Sequence, residues 1–229
     1  MKRPWPQPCA AGALAVLAAA ACATATQRAA SGTVPPAGAT PVVAAPATRA
    51  RTDSGPPSYT AADVHFMAGM IGHHAQAVLM ASWAPSHGAS ATVRTLCERI
   101  VVGQRDEIAL MQRWLRDRHE AVPPADPRGY LMPGMDQAML MPGMLTPAQM
   151  AELDRARGPA FDRLFLTFMI QHHRGAITMV DQLLSVQEAA RDALVFRFAS
   201  DVSADQATEI DRMTRLLDAL SHTLQRSPQ

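Results

Sequence analysis

"DVHFMAGMIGHHAQAVLM" spans residues 63–80, and "DRLFLTFMIQHHRGAITM" spans residues 162–179. The two stretches align without a gap at an offset of 99 residues. Identities fall at Asp63/Asp162, Phe66/Phe165, Met70/Met169, Ile71/Ile170, His73/His172, His74/His173, Ala77/Ala176 and Met80/Met179. A second match follows at an offset of 102, where Gln104, Glu107, Ile108, Met111 and Leu115 correspond to Gln206, Glu209, Ile210, Met213 and Leu217. The chain therefore contains one design twice, too few copies for a solenoid.

Each copy reads as two helices. The first copy predicts helices over 60–83, broken by Pro85 and Gly88, and over 89–119, stopped by Pro123 and Pro124. The second copy predicts helices over 159–185 and 187–224. A short helix is expected to begin at Pro147, with Thr146 as N-cap and Gln149 completing a capping box. No stretch alternates with the period of a half-buried strand. Two like hairpins close most simply into an all-α four-helix bundle of the ferritin-like kind.

On a helical wheel at about 100° per residue, His73, Met80, Phe66, Ala77 and Met70 share one stripe. His74 falls beside it, next to Asp63, Ala81 and Met67. Met70 lies one turn below both histidines. The same holds for Met169, His172, His173 and Met179, with Leu166 where the first copy has Met67. On the partner helices, Gln104 and Met111 share a stripe with Glu107 at its edge, and Gln206, Met213 and Glu209 repeat the pattern. A Gln or Glu facing an imidazole can hold its second nitrogen, as metal-ligating histidines require.

Thioethers select Cu(I), whereas imidazole suits several metals. Structural zinc sites use Cys, His and carboxylate, not Met. Di-iron bundles need Glu-x-x-His, but the residues three before these histidines are Met70, Ile71, Met169 and Ile170. Calcium and magnesium need oxygen clusters that are absent here. A single Met or His on such a stripe would simply be core. Paired histidines with flanking Met, twice at one spacing, are hard to bury without a partner. The expected metal ligands are Met70, His73, His74, Met80, Met111, Met169, His172, His173, Met179 and Met213. Met67, Asp63, Asp162, Gln104, Glu107, Gln206 and Glu209 are further candidates that ligate or orient.

The hairpins are joined by a Met-rich connection, 120–146, long for a bundle loop and so functional or mobile. It carries "MPGM" at 132–135 and 141–144. Met132, Met135, Met141 and Met144 are expected to be exposed collectors of Cu(I), or merely a sticky linker. The unrepeated His65, His87, His119 and His222 are expected in solvent, and Cys97 as a small buried apolar group.

The N-terminus has a different character. Lys2 and Arg3 precede an apolar run, 10–21, too short to anchor in a bilayer as a helix. "LAAAAC" resembles a bacterial lipoprotein signal, which would make Cys22 the lipidated first residue. The alternative is an ordinary secretory signal cut near Ala23–Ala25. Residues 22–58 are rich in Ala, Thr, Pro, Ser and Gly, with no sustained apolar period, and read as a disordered tether. The folded domain is then 59–225. Removing 1–21 takes away Lys2, the only lysine, and Cys9. Lysine-based catalysis is thereby excluded. A lipidated Cys22 would leave Cys97 as the only thiol, so no internal disulfide could form. The full chain of 229 residues has 21 basic and 20 acidic side chains, which leaves no electrostatic footprint for nucleic acid.

"FMAGMIGHHAQAVLMA" and "FLTFMIQHHRGAITMV", each followed by Q-x-x-E-I-x-x-M, resemble the family known as domain of unknown function 305. The resemblance covers about 59–220, including "GMLTPAQMAEL". It implies a ferritin-like bundle and, since at least one periplasmic member binds copper and supports copper tolerance, an exported copper-binding protein. It fixes neither the metal nor any enzymatic activity. Leu166 and Cys97 depart from the internal repeat.

Together these readings predict an extracytoplasmic protein, held to the membrane by an N-terminal lipid, that sequesters or transfers copper as Cu(I). Transfer would require a copper donor or acceptor protein as partner. The rivals are a ferritin-like oxidase or peroxide-consuming enzyme, and a helical interaction module without metal.

Overall fold

The computed structural model describes residues 58–129 and 140–226. The predicted leader, Cys22, most of the tether, and Met132 and Met135 lie outside the described residues. Five helices carry the fold: α1 (Ala61–Ser82), α2 (Ala91–Asp117), α3 (Pro147–Arg155), α4 (Pro159–Ser185) and α5 (Ala193–Arg226). No strand occurs among the described residues. The chain is all-α, a bundle of two hairpins, α1/α2 and α4/α5, joined through an α1/α4 interface.

Local chemistry sets the helix starts. Thr60 and Asp63 form a capping box at α1, and Thr146 and Gln149 form the expected one at α3. The last helix begins at Ala193, six residues later than the periodicity suggests. Glu188 and Ala190 adopt positive φ and turn the chain. Asp192 then accepts from the amides of Leu194 and Val195, which starts α5.

The same turn is tied to the far hairpin. Ala190 N–H donates to Asp63 Oδ1 at 2.7 Å, while Thr60 N–H donates to the other oxygen at 2.7 Å. In the second copy, Asp162 accepts from Ser90 N–H at 3.2 Å. Each repeated aspartate therefore locks its own helix to the loop of the other hairpin. Their carboxylates serve this structural purpose, away from the histidines they were grouped with.

Residues 66–77 of α1 are buried without interruption, as in a helix covered on every side. The connection between the hairpins supplies the cover. Gln76 donates to the carbonyls of Pro127 and Leu145 and accepts from Leu145 N–H. Across the axis, Gln171 donates to the Gly143 carbonyl at 3.3 Å. At Gly175 the strap runs so close that a Cβ would overlap the Pro142 carbonyl. Met141 and Met144 are accordingly 8% and 5% exposed, which corrects their expected role as open collectors. The Pro142-Gly143 turn pulls them into the core. His87 is a second correction. It is buried, with Nε2 2.9 Å from the Asp154 carbonyl and Nδ1 2.9 Å from Ser86 Oγ, joining the α1–α2 turn to α3. His65, His119 and His222 are exposed, as expected.

Candidate metal centre

The internal repeat becomes a pseudo-two-fold axis. His73 and His172 occupy equivalent positions, and their rings touch, with centroids 3.8 Å apart. The axis therefore passes between them. His74 and His173 flank the pair, each 6.2 Å from its neighbour along the helix. All four side chains are 0% exposed.

Thioethers lie on both sides of this centre. One apolar cluster holds Met67, Met70, Met111, Met141, Met144 and Met179. The other holds Met80, Met169 and Met213. Met70 thus shares a cluster with Met179, and Met80 with Met169, because α1 and α4 run antiparallel. Met70, Met80, Met111, Met169 and Met213 are fully buried, and Met179 nearly so. Every expected ligand residue on the helices is therefore drawn into the interior. The wheel placed them there because each stripe is apolar apart from its histidines.

The ring nitrogens show what the centre can do. His73 Nε2–H donates to the Pro142 carbonyl at 3.0 Å. His173 Nε2 lies 2.6 Å from Glu209 Oε2 in a hydrogen bond. His74 Nε2 lies 2.7 Å from Glu107 Oε2, in ion-pair range though off the line of a hydrogen bond. An acceptor at Nε2 puts the proton there, so in the neutral imidazole the lone pair sits on Nδ1. Nδ1 of His73, His74 and His173 is buried without a partner, and both nitrogens of His172 are too. Carboxylate or carbonyl behind one nitrogen and an open lone pair on the other is how proteins prepare a metal-binding histidine.

Burial, reinforced by the His74 charge, pushes His73 down to about 3. Burial also holds His172 well below 6.5, with His73, His173 and His74 adding to it. Both rings are neutral at physiological pH and can offer a lone pair. An unpartnered buried polar atom costs roughly 1–3 kcal/mol, against a typical total stability of about 5–15 kcal/mol. Several at one spot are therefore a substantial burden, and a soft ion is a chemically suitable partner. Among the described residues, no three of His, Cys, Asp and Glu converge to hold a metal. The donor set around the axis is imidazole plus thioether.

Gln104 and Gln206 are each 3% exposed and face a cleft between α2 and α5. Both amide atoms of Gln104 and the Gln206 oxygen lack partners, so these glutamines do not orient the histidines. Glu209 does so for His173 by a hydrogen bond, and Glu107 stands within ion-pair range of His74. Asp205, Gly103 and Arg99 also line the cleft and were not anticipated. Burial raises the Asp205 carboxyl above its usual range, and the negative charges of Glu107, Asp201 and Glu209 raise it further. Cys97 is buried in the Met169 cluster, where burial and the Asp162 charge push its thiol up to about 12.

The architecture is shared with known structures. A DUF305 fragment from Deinococcus radiodurans is 29% identical with a TM-score of 0.59, over 72% of this chain and 99% of that one. A DUF305 protein from Streptomyces coelicolor, described as secreted, is 28% identical with a TM-score of 0.59, over 70% and 92%. CopM in its Cu(II)-bound form is 27% identical with a TM-score of 0.52, over 69% and 96%. No curated protein matches the chain. The family model described as Domain of unknown function (DUF305) matches residues 63–217, both hairpins and their strap, and the chain belongs to that family.

Proposed function

We propose that this is an exported copper-binding protein that sequesters or hands over Cu(I) through its central histidines and the methionines around them. One observation carries the reading: six buried imidazole nitrogens without a hydrogen bond, on the axis and flanking it, between two thioether-rich clusters. Neutral imidazole and thioether together favour a soft, monovalent ion over zinc or iron. His73, His74, His172 and His173 supply nitrogen. Met70, Met111 and Met179 on one side, and Met80, Met169 and Met213 on the other, supply sulfur. The likeness to copper-bound CopM supports the same reading.

Export rests on the N-terminal leader and on the likeness to a secreted relative. No helix among the described residues is long and apolar enough to cross a membrane. In this reading, Cys22 carries the lipid and residues 23–58 form the tether.

The deciding experiment is a Cu(I) titration against a chromophoric chelator, with zinc and Fe(II) as controls. Tight Cu(I) uptake that falls on changing His73/His74 and His172/His173 to Ala is the expected result. A protein that never competes with the chelator overturns it. Oxygen consumption with Fe(II) would point instead to the oxidase reading.

A further inference from the structure

The central histidines are fully buried, so an ion must cross part of the bundle to reach them. One side is closed. The strap lies over the α1/α4 interface with its main chain against Gly175, and the Pro142 carbonyl covers His73. The opposite side is not closed. α2 and α5 scarcely touch, and a cleft of about 250 Å³ opens between them.

Its lining is specific. Glu107, Glu209 and Asp205 face Arg99, a net balance of negative charge. Glu107 and Glu209 are about a quarter exposed, yet each also touches a fully buried imidazole. They bridge solvent and centre in one side-chain length. Gln104 and Gln206 line the same cleft with buried amide atoms that nothing satisfies. A cleft lined mainly by one sign of charge concentrates a cation, and weak oxygen donors let a soft ion move on to imidazole and thioether.

Gly103 adds an independent pointer. It sits inside the 27-residue α2, where glycine weakens a helix by about 1 kcal/mol relative to alanine. No close packing demands it, since a Cβ there would meet nothing within 4 Å. At the offset of 102, its counterpart in α5 is Asp205. The missing side chain leaves the cleft unobstructed opposite a carboxylate.

We propose that the α2/α5 cleft is a cation port, through which copper passes along Glu107/Glu209 and Gln104/Gln206 to the central imidazoles. This rests on the copper reading above. The port governs how fast the ion enters, and the His/Met centre governs how tightly it is held.

The test separates rate from affinity. Stopped-flow loading of the purified full chain with Cu(I), delivered from a weak chelator, is compared for wild type, Gly103→Phe and Asp205→Arg. Gly103→Phe fills open space, and Asp205→Arg reverses an exposed charge. Loading roughly tenfold slower or more is expected in both: the Phe ring obstructs the cleft, and the reversed charge undoes a steering effect that alters on-rates by about 10–10³. Equilibrium affinity is expected to stay at the wild-type value. Wild-type loading rates in both variants overturn the port alone. A wild-type chain that takes up no Cu(I) at equilibrium overturns the copper reading and the port with it.

Discussion

His73 and His172 meet across the pseudo-two-fold axis, ring centroids 3.8 Å apart, yet only His73 is held by a hydrogen bond. His172 has two buried nitrogens and no partner for either. Replacing it with an apolar side chain, His172→Leu, removes that burden. The metal-free protein is expected to gain roughly 1–3 kcal/mol, about 2–4 °C in Tm per kcal/mol for a domain of this size. Copper-induced stabilisation should shrink in the same variant. Calorimetry with and without Cu(I) reads both effects. A less stable metal-free variant would contradict this account.

Acid should weaken the metal-free fold well above the carboxylate range. In the unfolded chain, His73 and His172 take up protons as pH falls through 6.5. In the folded state, His73 does so only near 3, and His172 well below its ordinary value. The unfolded state therefore binds more protons in this window. Stability is complete above 6.5 and is lost as pH falls toward 3, by roughly 1.4 kcal/mol per pH unit for each histidine. Urea midpoints at pH 7.5, 6 and 5 should fall in that order, and a flat series would refute the buried-neutral assignment.

Asp63→Ala should destabilise without altering the metal stoichiometry. Its carboxylate accepts from Thr60 and from Ala190, so the substitution removes a helix cap and a link between hairpins. A loss of about 1–3 kcal/mol is expected, with faster hydrogen exchange at the Ala190 amide. If copper stoichiometry fell while Tm held, Asp63 would belong to the centre after all.

Cys97 should be silent in the native protein. With its thiol pushed up to about 12 by burial and by Asp162, almost no thiolate exists at pH 8. Alkylating reagents are expected to label it only in denaturant, and Cys97→Ala is expected to bind Cu(I) as the wild type does. Rapid labelling of the folded chain would make the cysteine a candidate ligand.

The hairpins, the short capped helix and the burial of the paired histidines were all legible in the repeat and its helical period. The strap was not, because main-chain contacts leave no hydrophobic period. A signal did exist in the mismatches. Gly72 stands opposite Gln171, and Gln76 opposite Gly175, a reciprocal exchange of the same two residue types within the repeat. In each pair, the glutamine bonds the strap backbone and the glycine lets it pass closely. Gly103 against Asp205 marks the cleft in the same way. The start of α5 was misplaced because two left-handed residues interrupt a helix-like pattern without Gly or Pro to announce it.

Two hairpins need only one connection, so the strap can cross the bundle only once. Whatever symmetry the duplication began with, the halves have divided their labour. The first repeat's histidine is aimed by a main-chain carbonyl, which substitution of the Pro142 side chain does not delete. Its counterpart His172 is aimed by packing alone, and any neighbour that changes size can re-aim it. Sequence drift in the second half can therefore retune the centre while the first half keeps its anchor.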